Sequence, residues 1–288
     1  MTLRFGYNTN GFAHHRLCDA IDILADLGYA SIALTLDVHH LDPYSDTLPS
    51  DAERVRRQLE RRGLGCVIET GARFLLDARR KHQPTLLAPE SSDRARRFGF
   101  LQRCIDLAAR LNADAVSFWS GTPTTAESAE VLMTRLAEEC KRLADAAAAK
   151  SVRLAFEPEP GMLVDRMSRY RELCDRVDHP SFGLTLDVGH LHCMGETPIA
   201  DRIHDWSDRL WNVHIEDMRN GIHDHLMFGE GEMDFPPILR ALMHIGYRGG
   251  VHVELSRHSH DAVNVARKSA DFLSTSTASS KCPPGDMP

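Results

Sequence analysis

The chain has 288 residues, of which 42% are apolar and 26% charged, and its formal net charge is −7. This composition excludes a mainly disordered chain, and the acidic balance excludes a global electrostatic pull toward nucleic acid or anionic lipid. The length suits one large single-core domain or two smaller ones. Seven cysteines, Cys18, Cys66, Cys104, Cys140, Cys174, Cys193 and Cys282, are scattered without a Cys-x-x-Cys pair, as expected of reduced core thiols in a cytoplasmic protein. The opening "MTLRFGYNTNGF" enters a strand-like pattern at once and no apolar run approaches membrane-spanning length, so neither export nor membrane insertion is expected.

Short apolar runs rich in β-branched and aromatic residues alternate with stretches of helical period. The first run, Leu3–Asn8, precedes the helical "LCDAIDILADLGY", which Gly28 closes; Ser31–Leu36 precedes a helix near Asp51–Arg62, which Gly63 closes. Gly65–Thr70 is followed by a long irregular stretch and a helix from about Ser92 to Leu111. Asp114–Trp119 leads through "TPTTAES" into an Ala-rich helix, and Val152–Glu157 into a helix near Arg166–Val177. Phe182–Asp187, Trp211–Glu216 and Gly250–Leu255 are followed by helices near Ile199–Arg209, Pro236–Ile245 and Ala262–Leu273. Eight strand–helix units imply right-handed crossovers and a parallel sheet, and at this length they predict a closed (β/α)8 barrel as a single domain over residues 1–274. The rival, an open doubly wound sheet, lacks both the Gly-x-Gly-x-x-Gly and the P-loop signatures. The Ser/Thr/Pro-rich residues 275–288 have no periodicity and predict a disordered tail.

In such a barrel the chemistry sits at the carboxyl ends of the strands. In the second half of the chain those ends carry Glu157, Asp187, His214 and Glu254. Three carboxylates converging within a few ångströms repel one another and raise each other's pKa, and a divalent cation removes that penalty. Oxygen and imidazole donors in this mixture suit Mn²⁺, Mg²⁺, Co²⁺ or Zn²⁺ with positions left open for substrate or water. Any one of these residues alone would read as a loop residue, a helix cap or a structural histidine. Their placement at four successive strand ends favours a metal site.

The segments "FEPEPG", "LDVGH", "NVHIED", "HDHLMFGEGEMDF" and "HVELS", in this order and spacing, resemble the xylose isomerase-like TIM-barrel superfamily. That superfamily holds sugar and sugar-phosphate isomerases and epimerases, inosose-processing enzymes and the endonuclease IV group. The resemblance covers about residues 3–273 and implies that Glu157, Asp187, His214 and Glu254 are metal ligands. It implies that His190 contacts substrate oxygens or a second metal, that His223 and His225 join it, and that Glu230 in the Gly-Glu-Gly turn is structural. The endonuclease IV group also draws histidines from strands three and four, where this chain has Glu69 and Ser117–Trp119. Phosphodiester cleavage is therefore disfavoured, as nucleic acid is as a partner.

The resemblance implies a divalent-metal-dependent sugar, sugar-phosphate or polyol isomerase or epimerase with no organic cofactor. Glu157 and Glu254 would be the catalytic pair, one removing and the other returning a proton through a metal-bound enediolate. An inosose dehydratase-type lyase is one alternative reading, and an endonuclease IV-like metal-dependent phosphodiesterase, disfavoured as above, is the other. A hydride shift would need two metals and a buried Lys near strand six, where the sequence reads "LDVGH". Glu69 and Arg73 after strand three are expected to hold substrate hydroxyls or an anionic group, Arg79, Arg80, Lys81 and His82 to take a phosphate or carboxylate or form a solvated loop, and Trp119 to stack on a sugar ring or cap the barrel. The expected partner is a small carbohydrate, and homo-oligomer formation is left open.

Overall fold

A computed structural model describes residues 2–280. In chain order the strands are β1 (Arg4–Asn8), β2 (Ser31–Thr35), β3 (Gly65–Glu69), β4 (Val116–Phe118), β5 (Leu154–Phe156), β6 (Phe182–Asp187), β7 (Leu210–Ile215), β8 (Asp217–Arg219), β9 (Ile222–Leu226) and β10 (Gly250–Val253). Eight of them close into a parallel barrel in the order β1-β10-β7-β6-β5-β4-β3-β2, while β8 and β9 form a separate antiparallel hairpin. The helices are α1 (Leu17–Asp26), α2 (Leu48–Arg62), α3 (Ser91–Leu111), α4 (Ala129–Ala148), α5 (Met167–Val177), α6 (Val188–Cys193), α7 (Ile199–Asp205), α8 (Phe235–His244) and α9 (Ala262–Ser280). The fold is thus a (β/α)8 barrel, as the alternating pattern predicts.

Each outer helix turns one apolar stripe inward. On α4 the buried residues Leu132, Leu136, Cys140, Leu143 and Ala147 recur at three- and four-residue spacing, and Ser128 caps the helix by accepting from Val131 N at 3.3 Å. These stripes pack on strands buried on both faces, which is why β2, β4 and β5, and β6 up to its last residue Asp187, are apolar or small rather than alternating. Between β4, β5, β6 and α5, Phe118 and Phe156 meet edge-on at 5.2 Å, Phe156 lies 5.8 Å from Phe182, and Tyr170 stacks on Phe182 at 6.2 Å. Full burial of each such ring contributes roughly 2–3 kcal/mol. That aromatic wedge fixes the part of the barrel from which Glu157 and Asp187 emerge.

Three features depart from the sequence expectation. The short α6 starts directly after β6, because Asp187 caps it by accepting from His190 N at 2.8 Å. The β8–β9 hairpin occupies the stretch between the seventh strand and its helix, where only a loop was expected. Residues 275–280, assigned above to a disordered tail, continue α9. There Leu273 and Thr277 are buried, and the hydroxyls of Thr275, Thr277 and Ser279 donate to carbonyls one turn back, so Ser and Thr satisfy themselves without breaking the helix. The rest of that tail, 281–288 with Cys282, lies outside the described residues. Of the described cysteines, Cys66, Cys104, Cys140, Cys174 and Cys193 are buried and Cys18 is half-buried, all as free thiols. Among the described residues no helix is long and apolar enough to cross a membrane.

Candidate metal and catalytic site

The four strand-end residues meet at the mouth of the barrel. Asp187 and His214 are register partners on β6 and β7, brought level by a register shift between Leu184 and Thr185. His214 Nδ1 lies 2.9 Å from Glu157 Oε1, 2.9 Å from Glu254 Oε2 and 3.9 Å from Asp187 Oδ2. One donor atom from each of the four falls within 4.8 Å of the others. Glu157, Asp187 and His214 are buried, and Glu254 keeps 18% of its side chain exposed.

Burial and mutual charge split the titration of this cluster. Burial pushes the Glu157 carboxyl up to about 8. Burial also disfavours the charged forms of Glu254 and His214, but their mutual attraction outweighs it: Glu254 is held well below the usual carboxylate range, and His214 is driven well above an ordinary histidine by Glu157, Glu69 and Glu254. Asp187, despite burial, is held low by His190, His225 and His214. Asp187 Oδ2 is buried, 3.4 Å from His190 Nε2, and the buried Glu216 carboxyl adjoins the same carboxylate, a crowding of acids that is costly unless a proton or a cation lies between them.

A second group adjoins the first. His190 Nδ1 reaches the Pro158 carbonyl at 3.2 Å, so that nitrogen carries the proton and Nε2 is left facing His223 Nε2 at 3.0 Å. His225 Nε2 lies 3.2 Å from the same His223 atom. Three imidazole nitrogens thus face one another, as in a ligand set. Burial lowers the His190 pKa to about 4 and lowers that of His223 too, which keeps both rings neutral at pH 7.

Glu216 and Asp217 are the residues that sequence reasoning missed. Glu216 is fully buried beside the Asp187 carboxylate, burial and that charge push its carboxyl well above the usual carboxylate range, and Oε1 sits 3.9 Å from His225 Nδ1. Its seat exists because residue 189 is glycine, where a Cβ would lie 2.0 Å from Glu216 Oε1. Asp217 accepts from the backbone N–H of Met218, Gly229, Gly231 and Met233 at 2.8–3.1 Å and so folds the "FGEGEM" turn onto the hairpin. Glu230 of that turn is exposed; its backbone N–H donates to the Met227 carbonyl at 3.0 Å and its carbonyl accepts from Arg219 at 3.0 Å. The available signal was the "IED" after a strand, with acids in both parities so that one must point inward.

The first-half loops behave differently from one another. Asn10, in the 3-10 turn Thr9–Phe12 after β1, donates from Nδ2 to Glu254 Oε1 at 2.8 Å. Glu69, expected to hold substrate, instead turns down into the barrel: its Oε1 lies 2.9 Å from His214 Nε2 and 3.1 Å from Asn212 Nδ2. Arg73 pairs with Asp37 at 3.4 Å and donates to the Asn10 carbonyl at 3.3 Å, along a small cleft that Asn10, Asp37, His39 and His40 also line. Trp119 is buried, with the Arg97 guanidinium 4.5 Å from its ring and His82 edge-on at 5.4 Å, so it closes the barrel rim. Arg79, Arg80 and Lys81 are exposed, with Arg80 paired to Asp77 at 2.7 Å, while the half-buried His82 is tied to the Gly71 carbonyl. That run forms a solvated loop.

Comparison with known proteins agrees with this architecture. An inosose dehydratase from Lacticaseibacillus casei is 29% identical over 137 residues, 42% of this chain; the match spans about half the length of that relative, 46%. An L-ribulose-5-phosphate 3-epimerase from Escherichia coli is 22% identical over 214 residues, 73% of this chain and 74% of that protein. The structure of an L-ribulose 3-epimerase superposes with a TM-score of 0.78 at 19% identity, covering 97% of this chain and 96% of the other. The model of one family, described as the xylose isomerase-like TIM barrel, matches residues 21–276. Its span takes in nearly the whole barrel and all four residues around the His214 imidazole, and the chain belongs to the xylose isomerase-like TIM-barrel family.

Proposed function

We propose that this protein is a divalent-metal-dependent isomerase or epimerase acting on a sugar, sugar phosphate or related polyol. The observation that carries the reading is the convergence of Glu157 and Glu254, from two different strand ends, on the same nitrogen of His214. The donor set of three carboxylates and one imidazole fits a divalent cation held by Glu157, Asp187, His214 and Glu254. Mn²⁺, Mg²⁺, Co²⁺ and Zn²⁺ all accept such ligands. When bound, the cation would polarise a substrate carbonyl and acidify the adjacent C–H.

The chain's own groups account for the proton steps. Glu157 and Glu254 would flank the substrate carbon, one carboxylate removing a proton and the other returning one. Asn10 Nδ2 holds the Glu254 carboxylate in place through Oε1, leaving Oε2 toward the centre. His190, neutral and buried, would present Nε2 to a substrate hydroxyl, or with His223 and His225 hold a second cation. Trp119, Arg97 and His82 close the rim against water.

The test is to incubate metal-loaded protein with ketoses, aldoses and inososes in D₂O and to follow deuterium uptake at carbon by NMR. Uptake should fall at least about a hundredfold in Glu157→Gln and in Glu254→Gln. Turnover that survives both substitutions, or that persists after chelation, refutes the proposal. The stretch of identity to an inosose dehydratase favours one second reading, a lyase in which the same proton abstraction ends in loss of water. Product analysis of the same incubations separates dehydration from epimerisation.

A further inference from the structure

Below the strand-end cluster, inside the barrel, a chain of buried polar side chains leads away from His214. His214 Nε2 lies 2.9 Å from Glu69 Oε1, and Asn212 Nδ2 lies 3.1 Å from the same oxygen. Asn212 Oδ1 lies 2.8 Å from His252 Nδ1, and His252 Nε2 lies 2.9 Å from Ser31 Oγ. Ser31, Asn212 and His252 have no exposed surface, and Glu69 keeps 6%. None of the four is open to a substrate.

With a cation at His214 the donors and acceptors favour one arrangement, in which Asn212 Nδ2, 3.1 Å from His214 Nε2 as well as from Glu69 Oε1, turns its N–H to the carboxylate. An amide oxygen only accepts, so His252 Nδ1 must carry a proton and donate to Asn212 Oδ1. The reverse amide orientation would set Asn212 Oδ1 against the Glu69 carboxylate, two acceptors face to face, so Nδ2 points to Glu69. A carboxylate also only accepts, so His214 Nε2 carries a proton and donates to Glu69 Oε1. Without a cation the same rule puts a proton on Nδ1 too, since it faces Glu157, Asp187 and Glu254; a cation displaces that proton, and Nδ1 is the nitrogen that ligates it. The far end of the chain is pinned sterically: a Cβ at Gly6 would lie 2.3 Å from His252 Cδ2, and one at Gly250 would lie 2.2 Å from His252 Cε1. Two glycines on β1 and β10 thus cut a slot in the barrel floor that admits this imidazole in one place.

We propose that Glu69 is a positioning residue for His214, itself oriented by Asn212 and His252, and that this buried chain delivers His214 Nδ1 as a ligand to a divalent cation. The inference rests on the metal-dependent reading above and concerns how the site is built. A carboxylate behind a ligating imidazole fixes the tautomer and ring orientation and raises ligand basicity; its loss typically costs roughly 10–100-fold in metal affinity.

The test uses the metal alone. Co²⁺ is titrated into metal-free wild type and Glu69→Gln by calorimetry and by the visible Co²⁺ spectrum, with the thermal midpoint of each metal-free protein as a control. Glu69→Gln, of the same shape but uncharged, should bind Co²⁺ roughly 10–100-fold more weakly at unchanged stoichiometry, with a metal-free midpoint close to wild type. In the Zn²⁺-loaded proteins, the strongly downfield Nε2–H proton of His214 should move upfield in the variant. If Glu69→Gln does not fold, Asn212→Ala is titrated instead, with the same direction of change expected. Equal Co²⁺ affinity in the wild type and a folded variant overturns the proposal. A wild type that binds neither Co²⁺, Mn²⁺ nor Zn²⁺ overturns the metal-dependent reading first, an outcome distinct from the former.

Discussion

Cation uptake at the His214 cluster should expel protons, in a number set by the fold. Three carboxylates and an imidazole have donor atoms within 4.8 Å of one another. Two like charges at about 4 Å cost about 4 kcal/mol at an effective dielectric constant of 20, so the cation-free cluster keeps protons to relieve itself. Burial holds the Glu157 carboxyl at about 8, and His214, although burial disfavours its charged form, is driven well above an ordinary histidine by Glu157, Glu69 and Glu254. Glu254 and Asp187 stay ionised. At pH 7 the cation-free cluster therefore keeps an extra proton on His214 and leaves Glu157 mainly protonated. A cation must displace both, because only deprotonated groups ligate. The cation-bound state holds fewer protons, so raising the pH favours it: affinity should climb with pH through neutrality, and less steeply once Glu157 has ionised above about pH 8. Calorimetric titration of Mn²⁺ in buffers of different ionisation enthalpy counts the protons directly. Glu157→Gln should release about one proton fewer and bind more weakly. Mn²⁺ binding with no proton release between pH 6.5 and 8 would refute the reasoning.

Three further outcomes follow from single contacts. Asp217→Ala strands four backbone donors of the "FGEGEM" turn and should cost about 3 kcal/mol in urea denaturation, with faster hydrogen exchange confined to the amides of Gly229, Gly231 and Met233. Phe156→Ala opens the aromatic wedge between β5, β6 and α5 and should cost about 3–5 kcal/mol by the same measurement; a loss below about 1 kcal/mol would show that the wedge does not hold the strand ends. Burial lowers His82 to about 4, below its unfolded value, so the unfolded chain binds the proton more tightly. The stability owed to the neutral ring is complete above about pH 6.5 and lost as pH falls toward 4, a loss of roughly 2–3 kcal/mol. His82→Gln should flatten that part of the stability profile, and a variant as acid-sensitive as the wild type would refute the assignment.

The eight strands were legible because a parallel strand buried on both faces is an unbroken apolar run, and Glu157, Asp187, His214 and Glu254 stood out as the polar residues that end such runs. Local pattern did not say which of Glu216 and Asp217 turns inward. That depends on how the chain leaves β7 into a hairpin, whose strands have no core of their own to impose a period. The Ser/Thr-rich residues 275–280 likewise read as a tail, since composition does not record that Thr277 is buried. For Glu69 the sequence determined its position at the end of β3 and nothing about its partner.

What the sequence by itself determined is the barrel, the strand ends and the chemical types offered there, because each follows from periodicity within one element. What only the tertiary structure decided is who meets whom: Glu69 reaches Asn212 and His214 across separations of 143 and 145 residues, and Gly6 faces His252 because β1 closes on β10. Those meetings are set by strand register and barrel closure. They are properties of the packed whole, and no stretch of chain carries them in its own pattern.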